Sequence, residues 1–396
     1  MRIISFSEGT HPANGSVGIA AVPAICRSLY EQGHNVTLIV GNNPYQFQKS
    51  KLLSKEDVNE RPQKATTFEM FHAPGLTKWA FAPRLLLSYK LVSQADIIFL
   101  HSLYSFPVLV GFILSRIFKK PYLLYTHGVL APFQRRVSFR KKAIYNWLIA
   151  NSILDHASSI VYTSSGEMDE ASSLKIKAPV AIIPHGVDFN TIYLPNNKNS
   201  FRQKYLNNCT GPVLLFLGRI NAKKGLDILI ESFSIVHKQI PDARLVIMGG
   251  GDPPSFETKV RGWVNEFGLQ EEVVFTGPVF GEEKFSAFTG SDVFILPSIA
   301  ENFCMTMFEA MSFHLPVIIS ENLNLAADVK KARAGLVVKR DIQSFANSII
   351  LLLRDENLRS ELMQNGFQFA KTFSWQSTGN NLNNLIHSVV DITKEC

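Results

Sequence analysis

Two glutamates eight residues apart, Glu301 and Glu309, stand where a short apolar run gives way to a helical pattern. The run Val293–Leu296 reads as a buried strand and Phe303–Phe313 as a helix, with Pro297-Ser298-Ile299-Ala300 between them. Glu301 therefore falls in the loop and Glu309 two turns into the helix. The backbone N–H groups of Asn302, Phe303 and Cys304 stand at the expected helix start. Unpaired donors and the helix dipole make such an end a good holder of phosphate. Glu301 would then lie beside the phosphate, close to an attached sugar, and Glu309 could accept hydrogen bonds from ribose hydroxyls. Taken alone, the pair also reads as two surface glutamates flanking a helix, a spacing that arises often by chance.

A second loop adds weight to the phosphate reading. After the apolar run Val213–Leu217 comes Gly218-Arg219-Ile220-Asn221-Ala222-Lys223-Lys224-Gly225, which leads into an amphipathic stretch from Leu226 to His237. Arg219 can grip phosphate oxygens with its planar fork, and Lys224 adds a compact charge. Gly218 and Gly225 let the backbone approach or turn. A solvated basic turn is the alternative for this loop on its own. Both loops follow strands of the same half of the chain, and both suit a diphosphate.

The elements that must position these loops alternate along the chain. Ile3–Phe6, Val36–Val40, Ile97–Leu100, Tyr122–Tyr125, Ile160–Thr163 and Val180–Ile183 read as strands with helical stretches between them. One such helix runs from about Val17 to Gln32 and is closed by Gly33. The second half repeats the rhythm with Val213–Leu217, Leu245–Met248, Val273–Phe275, Val293–Leu296, Val317–Ile319 and Gly335–Val338. Strict alternation predicts parallel sheets covered on both faces. The polar stretch Leu194–Ser200 separates the halves and reads as a linker. The expected architecture is α/β, with two doubly wound Rossmann-like domains facing a central cleft. The first domain spans residues 1–193, the linker 194–200 and the second domain 201–373. Parallel-sheet domains take ligands at the carboxyl ends of their strands.

In order and spacing, these segments resemble the GT-B fold, retaining glycosyltransferases of family 4. The matching pieces are Gly218-Arg219 with Lys224-Gly225, the Gly249-Gly250-Gly251 turn, Phe275-Thr276-Gly277, the Pro297-Ser298…Glu301…Glu309 run and Pro184-His185-Gly186-Val187-Asp188. The resemblance covers essentially the whole chain. It implies that Arg219 and Lys224 bind the donor diphosphate with the 302–304 backbone, that Glu301 holds the donor sugar and that Glu309 holds the ribose. Phe275, Gly277 and Pro278 would frame the base. Thr126-His127-Gly128 resembles the family's histidine segment, making His127 a catalytic candidate beside Glu301. The loop Gly9–Gly18 resembles the acceptor-side glycine loop, but Gly15 is followed by Ser16 where the family has a second glycine. Phe373-Ser374-Trp375 resembles the start of the closing segment, so a helix over 374–396 is expected to complete the first domain. The implied function is hexose transfer from a UDP- or GDP-linked donor to a glycan, including a lipid-linked glycan of cell-surface polysaccharide synthesis.

No Asp-x-Asp pair occurs, and no histidine or cysteine cluster has metal-ligand spacing, so neither a metal nor a cofactor beyond the nucleotide-sugar co-substrate is expected. Cys26, Cys209, Cys304 and Cys396 are scattered, which fits a reducing cytoplasm. The longest oily region, Phe106–Phe118, falls short of the ~20 residues of a membrane span. Charge is unevenly spread. From Ile97 to Leu154 there is no acid, while Arg116, Lys119, Lys120, Arg135, Arg136, Arg140, Lys141 and Lys142 exceed the whole net charge of +7. The stretch from Phe133 through Arg135, Arg136, Arg140, Lys141 and Lys142 to Trp147 reads as a candidate contact with the anionic inner membrane face. Nucleic-acid binding is not expected, since no single-strand or helix-turn-helix signature accompanies the basic stretch. A dinucleotide-dependent dehydrogenase is excluded by Ser7-Glu8-Gly9-Thr10-His11-Pro12, which fails the glycine fingerprint after the first strand. A catalytically silent protein of the same fold remains the alternative.

Overall fold

The computed structural model describes residues 1–8, 17–42, 69–74, 79–136, 139–189 and 198–395. It divides into two compact units, Met1–Gly186 with Trp375–Cys396, and Val187–Ser374. Each is built on one parallel sheet.

The first unit contains β1 (Arg2–Ser7), β2 (Asn35–Asn42), β3 (Glu69–Pro74), β4 (Ile97–His101), β5 (Tyr122–Tyr125), β6 (Ser159–Tyr162) and β7 (Val180–Ile182). Their spatial order is β3-β2-β1-β4-β5-β6-β7, all parallel. The central strands are buried along their whole length, as continuous apolar runs require when helices cover both faces. The sequence reading missed β3. Its residues, Glu-Met-Phe-His-Ala-Pro, carry no apolar run, and an edge strand needs none. The direction of winding reverses between β1 and β4, so the carboxyl ends of those two strands form the switch point. Gly15 follows β1 but lies outside the described residues.

In the second unit β8 (Val213–Leu217), β9 (Arg244–Met248), β10 (Val273–Gly277), β11 (Val293–Leu296), β12 (Val317–Ser320) and β13 (Leu336–Val338) run in the order β10-β9-β8-β11-β12-β13, again all parallel. Here the switch point lies between β8 and β11. The Arg219–Lys224 loop leaves one of these strands and the Glu301 loop leaves the other. Two glycines let the backbones meet there. Gly225 has φ +72°, and a Cβ on it would stand 2.1 Å from the Pro297 carbonyl oxygen. Gly249 has φ +150°, and its Cβ would stand 1.8 Å from the Gly218 carbonyl oxygen. Neither position can carry a side chain without the loops moving apart.

Several boundaries differ from the sequence reading. The first unit ends at Gly186, not at residue 193. Val187 N–H donates to the Phe373 carbonyl at 2.7 Å, and Val187 is buried in the core of the second unit. Most of the expected 194–200 linker lies outside the described residues, and its last three residues begin a helix, Lys198–Leu206. The closing segment is helical over Trp375–Glu395 and packs Leu382, Ile386, Val389 and Val390 into the first unit's core. The helix after β11 begins at Met305 and ends at Ser312. It starts two residues later than expected because Phe303 is fully buried and Cys304 takes a left-handed conformation at φ +58°.

Candidate functional site

At the second unit's switch point, Lys224 Nζ donates to Glu301 Oε1 at 2.7 Å, and both side chains are buried, with 12% and 8% exposure. Burial alone would push the Glu301 carboxyl up. The ammonium groups of Lys224 and Lys223 and the hydrogen bond from Lys224 outweigh it, and the carboxyl is held below its usual range. The two loops are tied together along their backbones as well. Ile299 N–H donates to the Lys223 carbonyl at 2.8 Å, while the Arg340 side chain, from beyond β13, steadies the second loop by donating Nε to the Pro297 carbonyl at 3.0 Å. Arg219 gives Nη1 to Asp252 at 2.8 Å, yet its side chain stays 39% exposed and carries further donors.

Glu309 lies further along the helix and accepts from Lys284 Nζ at 2.7 Å. That lysine was not picked out from the sequence. The strand end Phe275-Thr276-Gly277 meets the glycine turn after β9, where Gly249 N–H donates to the Gly277 carbonyl at 2.9 Å. Pro278 lies within 3.8 Å of the Cβ position of Gly250, and Arg261 stacks over the Phe275 ring at 4.0 Å. The structure thus brings Arg219, Lys224 and Glu301 to neighbouring strand ends of one unit, and joins the 275–278 segment to the turn beside them. Residues 302–304 come just before the helix that follows β11. Phe303 stacks on Phe308 with ring centroids 4.8 Å apart, and Cys304 is also in the core, so their side chains face inward and the expected phosphate contact of this stretch would rest on its backbone N–H groups alone. The first-turn N–H groups belong to Met305, Thr306 and Met307, and Met307 already donates to the Cys304 carbonyl at 3.0 Å.

His127 lies in the other unit, two residues past β5, in a left-handed conformation at φ +49°. Its two neighbours are held, one through its hydroxyl and the other through its backbone N–H, by the buried Glu167. Its Oε1 accepts from Thr126 Oγ1 at 2.5 Å and from Gly128 N–H at 2.6 Å. His127 does not stand alone. His101 at the end of β4 approaches it at 3.0 Å, and the rings of Tyr125, His127 and His185 stack with centroids 5.4–6.4 Å apart. Burial, with the neighbouring imidazoles adding to it, pushes His127 well below its ordinary value, and burial takes His101 and His185 down to about 3. All three rings are therefore neutral at pH 7. His101 and Glu167 were missed as site residues. The signal lay in the strand ends: His101, His127 and His185 each fall within three residues of the end of an apolar run, where parallel sheets place function.

The basic stretch is only partly as expected. Arg135 Nη2 reaches Ser173 at 3.3 Å, and its Nε is buried. Lys142 donates to the Gln134 carbonyl at 2.6 Å and lies over the Tyr104 ring. Both are turned inward, because the long apolar stems pack while the charged heads find carbonyl, hydroxyl or aromatic partners. Arg136 and Arg140 remain exposed, and the Lys141 side chain lies outside the described ones. Among the described residues, no helix is long and apolar enough to cross a membrane. Nor is any group of three or more His, Cys, Asp or Glu side chains there arranged to hold a metal ion.

Residues 197–369 match the family model described as glycosyl transferases group 1, and residues 22–191 match that of glycosyltransferase family 4. The chain belongs to the group 1, family 4 glycosyltransferases. It is 24% identical over 318 residues to the D-inositol 3-phosphate glycosyltransferase of Corynebacterium glutamicum, covering 77% of this chain and 75% of that protein. It is 27% identical over 255 residues to the mannosylfructose-phosphate synthase of Agrobacterium fabrum, covering 61% of this chain and 55% of that one. Among solved structures, the sucrose-phosphate synthase of Thermosynechococcus elongatus superposes with a TM-score of 0.79 at 21% identity, over 99% of this chain and all of the other. HepE of Anabaena, in complex with UDP and glucose, superposes at 0.78 and 18% identity over 98% of this chain and all of the other. The fold of this family member is GT-B.

The buried Lys224–Glu301 pair makes a stability prediction. Lys224→Met should leave the Glu301 carboxylate buried without its main counter-charge and destabilise the second unit by about 3–5 kcal/mol, whereas Lys224→Met/Glu301→Leu should recover most of that loss. Urea denaturation of the single and double variants checks this. Equal stability of wild type and Lys224→Met would mean that the pair is not buried as described.

Proposed function

We propose that this glycosyltransferase moves a hexose from a UDP- or GDP-linked donor to a glycan acceptor, with retention at the anomeric carbon. The observation that carries the reading is the Lys224–Glu301 ion pair beside Arg219, at the carboxyl ends of β8 and β11. Arg219 and Lys224 supply fixed positive charge for a diphosphate leaving group, and the first-turn N–H groups after Cys304 extend that field. Glu301, held ionised, accepts hydrogen bonds from hydroxyls of the transferred sugar, and Glu309 takes the ribose. The 275–278 segment frames the base largely through its backbone.

In this reading the bond from the anomeric carbon to the phosphate oxygen breaks on the face where the bond to the acceptor oxygen forms. The departing phosphate takes up the acceptor's proton. Positive side chains and the helix start take the role that a divalent cation plays in other transferases. The names of solved relatives support the donor class, since HepE has been seen with UDP-glucose as well as with UDP. A silent nucleotide-sugar-binding protein is the alternative, and a turnover assay separates the two. Glu301→Gln should lower kcat by about 10²-fold or more without unfolding the chain, and wild-type turnover should persist in EDTA. Full activity in Glu301→Gln would remove the residue from the site, and loss of turnover in EDTA restored by Mg²⁺ or Mn²⁺ would reveal a metal site.

We further propose that the acceptor is lipid-linked and met at an anionic membrane surface. A specific feature favours this. Trp147 is 79% exposed, and Phe133, Ile144 and Leu148 are also exposed, in the same stretch as Arg136 and Arg140. A helix with a buried oily face would have hidden these side chains. Bulky apolar groups interleaved with arginines are the composition of a helix lying in a bilayer interface, where each basic residue contributes ~1 kcal/mol. The wild-type chain should co-sediment with phosphatidylserine-containing vesicles at low salt and be released at high salt. Trp147→Ser/Arg136→Gln/Arg140→Gln should abolish sedimentation and spare nucleotide binding. A wild-type chain that ignores such vesicles at low salt would point to a soluble acceptor.

A further inference from the structure

A chain of side-chain hydrogen bonds crosses three neighbouring strands of the first unit. Ser5 on β1 approaches His101 Nε2 at 2.8 Å, and His101 Nδ1 approaches His127 Nε2 at 3.0 Å. His127 Nδ1 is buried and has no hydrogen-bond partner among the described residues. Both nitrogens of His101 are engaged, so the neutral ring must donate at one and accept at the other. Its tautomer therefore dictates that of His127. If His101 donates from Nδ1, His127 accepts at Nε2 and carries its only proton on Nδ1. If His101 donates from Nε2 to Ser5, His127 becomes the donor at Nε2 and its Nδ1 is bare.

The Ser5 hydroxyl decides between these states. It carries one proton, and the acceptor it meets is His101 Nε2 at 2.8 Å. An imidazole nitrogen is a far better acceptor than the thiol of Cys26, which burial pushes up to about 12 so that it keeps its own proton. The chain then runs in one direction: Ser5 O–H to His101 Nε2, and His101 Nδ1–H to His127 Nε2. We propose that Ser5, acting through His101, fixes His127 as its Nδ1–H tautomer and makes it a neutral hydrogen-bond donor for an oxygen of the bound ligand. Ser5 and His101 are positioning residues, and His127 is the group that meets the ligand. This rests on the transferase reading above and gives His127, until here only a catalytic candidate, an electrostatic role.

Two further observations agree. A buried N–H without a hydrogen-bond partner is rare in native proteins, and an oxygen of a bound ligand is the partner this one would take. The left-handed backbone at His127, both of whose neighbours Glu167 holds, is a strained conformation of the kind that clusters at functional sites. Neutral imidazole acting as a hydrogen-bond donor to a polarised oxygen is a known catalytic device.

The test uses the full chain labelled with ¹⁵N-histidine. A proton–nitrogen correlation spectrum at pH 7 reads which ring nitrogen carries the proton. The expected result is His127 protonated at Nδ1 alone, with the opposite tautomer appearing in Ser5→Ala. Protonation at Nε2 in the wild type, a doubly protonated His127, or tautomers unchanged in Ser5→Ala would each overturn the proposal. This readout needs no catalysis, so it stands even if the chain proves not to be a transferase. In an active enzyme a second readout applies. Asparagine tolerates the left-handed backbone and places an amide N–H where His127 Nδ1 lies, so His127→Asn should keep turnover within about tenfold of wild type. His127→Leu should lose about 10²-fold or more. Equal losses in the two variants would show that His127 acts as a base and not as a donor.

Discussion

A carboxylate can be buried only with a counter-charge close by, and in the second unit that requirement ties two loops into one site. Glu301 follows β11 and Lys224 follows β8, and their ion pair at 2.7 Å spans the switch point of the sheet. Much of the local backbone serves this contact. Gly225 has no side chain where one would strike the Pro297 carbonyl, and Ile299 donates to the carbonyl of Lys223 beside the pair. The result is a negative group that stays ionised at the end of a parallel strand, flanked by cations that are fixed before any ligand arrives. Preorganised charge of this kind is what stabilises a departing diphosphate, since no reorganisation is needed at the moment of reaction.

The first unit solves a different electrostatic problem. Its strand ends carry imidazoles instead of an ion pair, and burial keeps all three neutral. Neutral rings can stack against Tyr125 and one another without the repulsion that three imidazolium ions would bring. The buried Glu167 is satisfied by two threonine hydroxyls and two backbone N–H groups, so it shapes the His127 turn through hydrogen bonds. One unit thus presents charge and the other oriented dipoles. That division suits an enzyme in which one part holds a phosphorylated donor and the other makes directional contacts to uncharged groups.

Much of this was legible in the sequence because parallel sheets write strands as continuous apolar runs. Val293–Leu296 and Val213–Leu217 were readable residue by residue, and the charged residues just past them could be picked as site candidates. What escaped reading depended on contacts between distant segments. Nothing near Glu309 in the sequence points to Lys284, and nothing near Arg219 points to Asp252, because the chain brings each pair together from 25 and 33 residues apart. The late start of the helix after β11 was hidden because burial of Phe303 among Phe308 and Phe373 is a tertiary fact. In the same way, the five basic residues of the 135–142 stretch look alike in sequence, although Arg135 and Lys142 are turned inward while Arg136 and Arg140 stay exposed. Strand β3 was lost for the opposite reason: an edge strand is under little pressure to be apolar.

The central claim is that Glu301 holds the transferred sugar while Arg219 and Lys224 hold the diphosphate. Calorimetric titration of the preferred nucleotide, UDP or GDP, and of its hexose conjugate into wild type and Glu301→Gln tests it most directly. The wild type should bind the conjugate more tightly than the bare nucleotide. In Glu301→Gln the affinity for the bare nucleotide should stay within about twofold, and the extra affinity due to the sugar should vanish. An equal loss for both ligands, or an unchanged preference for the conjugate, would contradict the account.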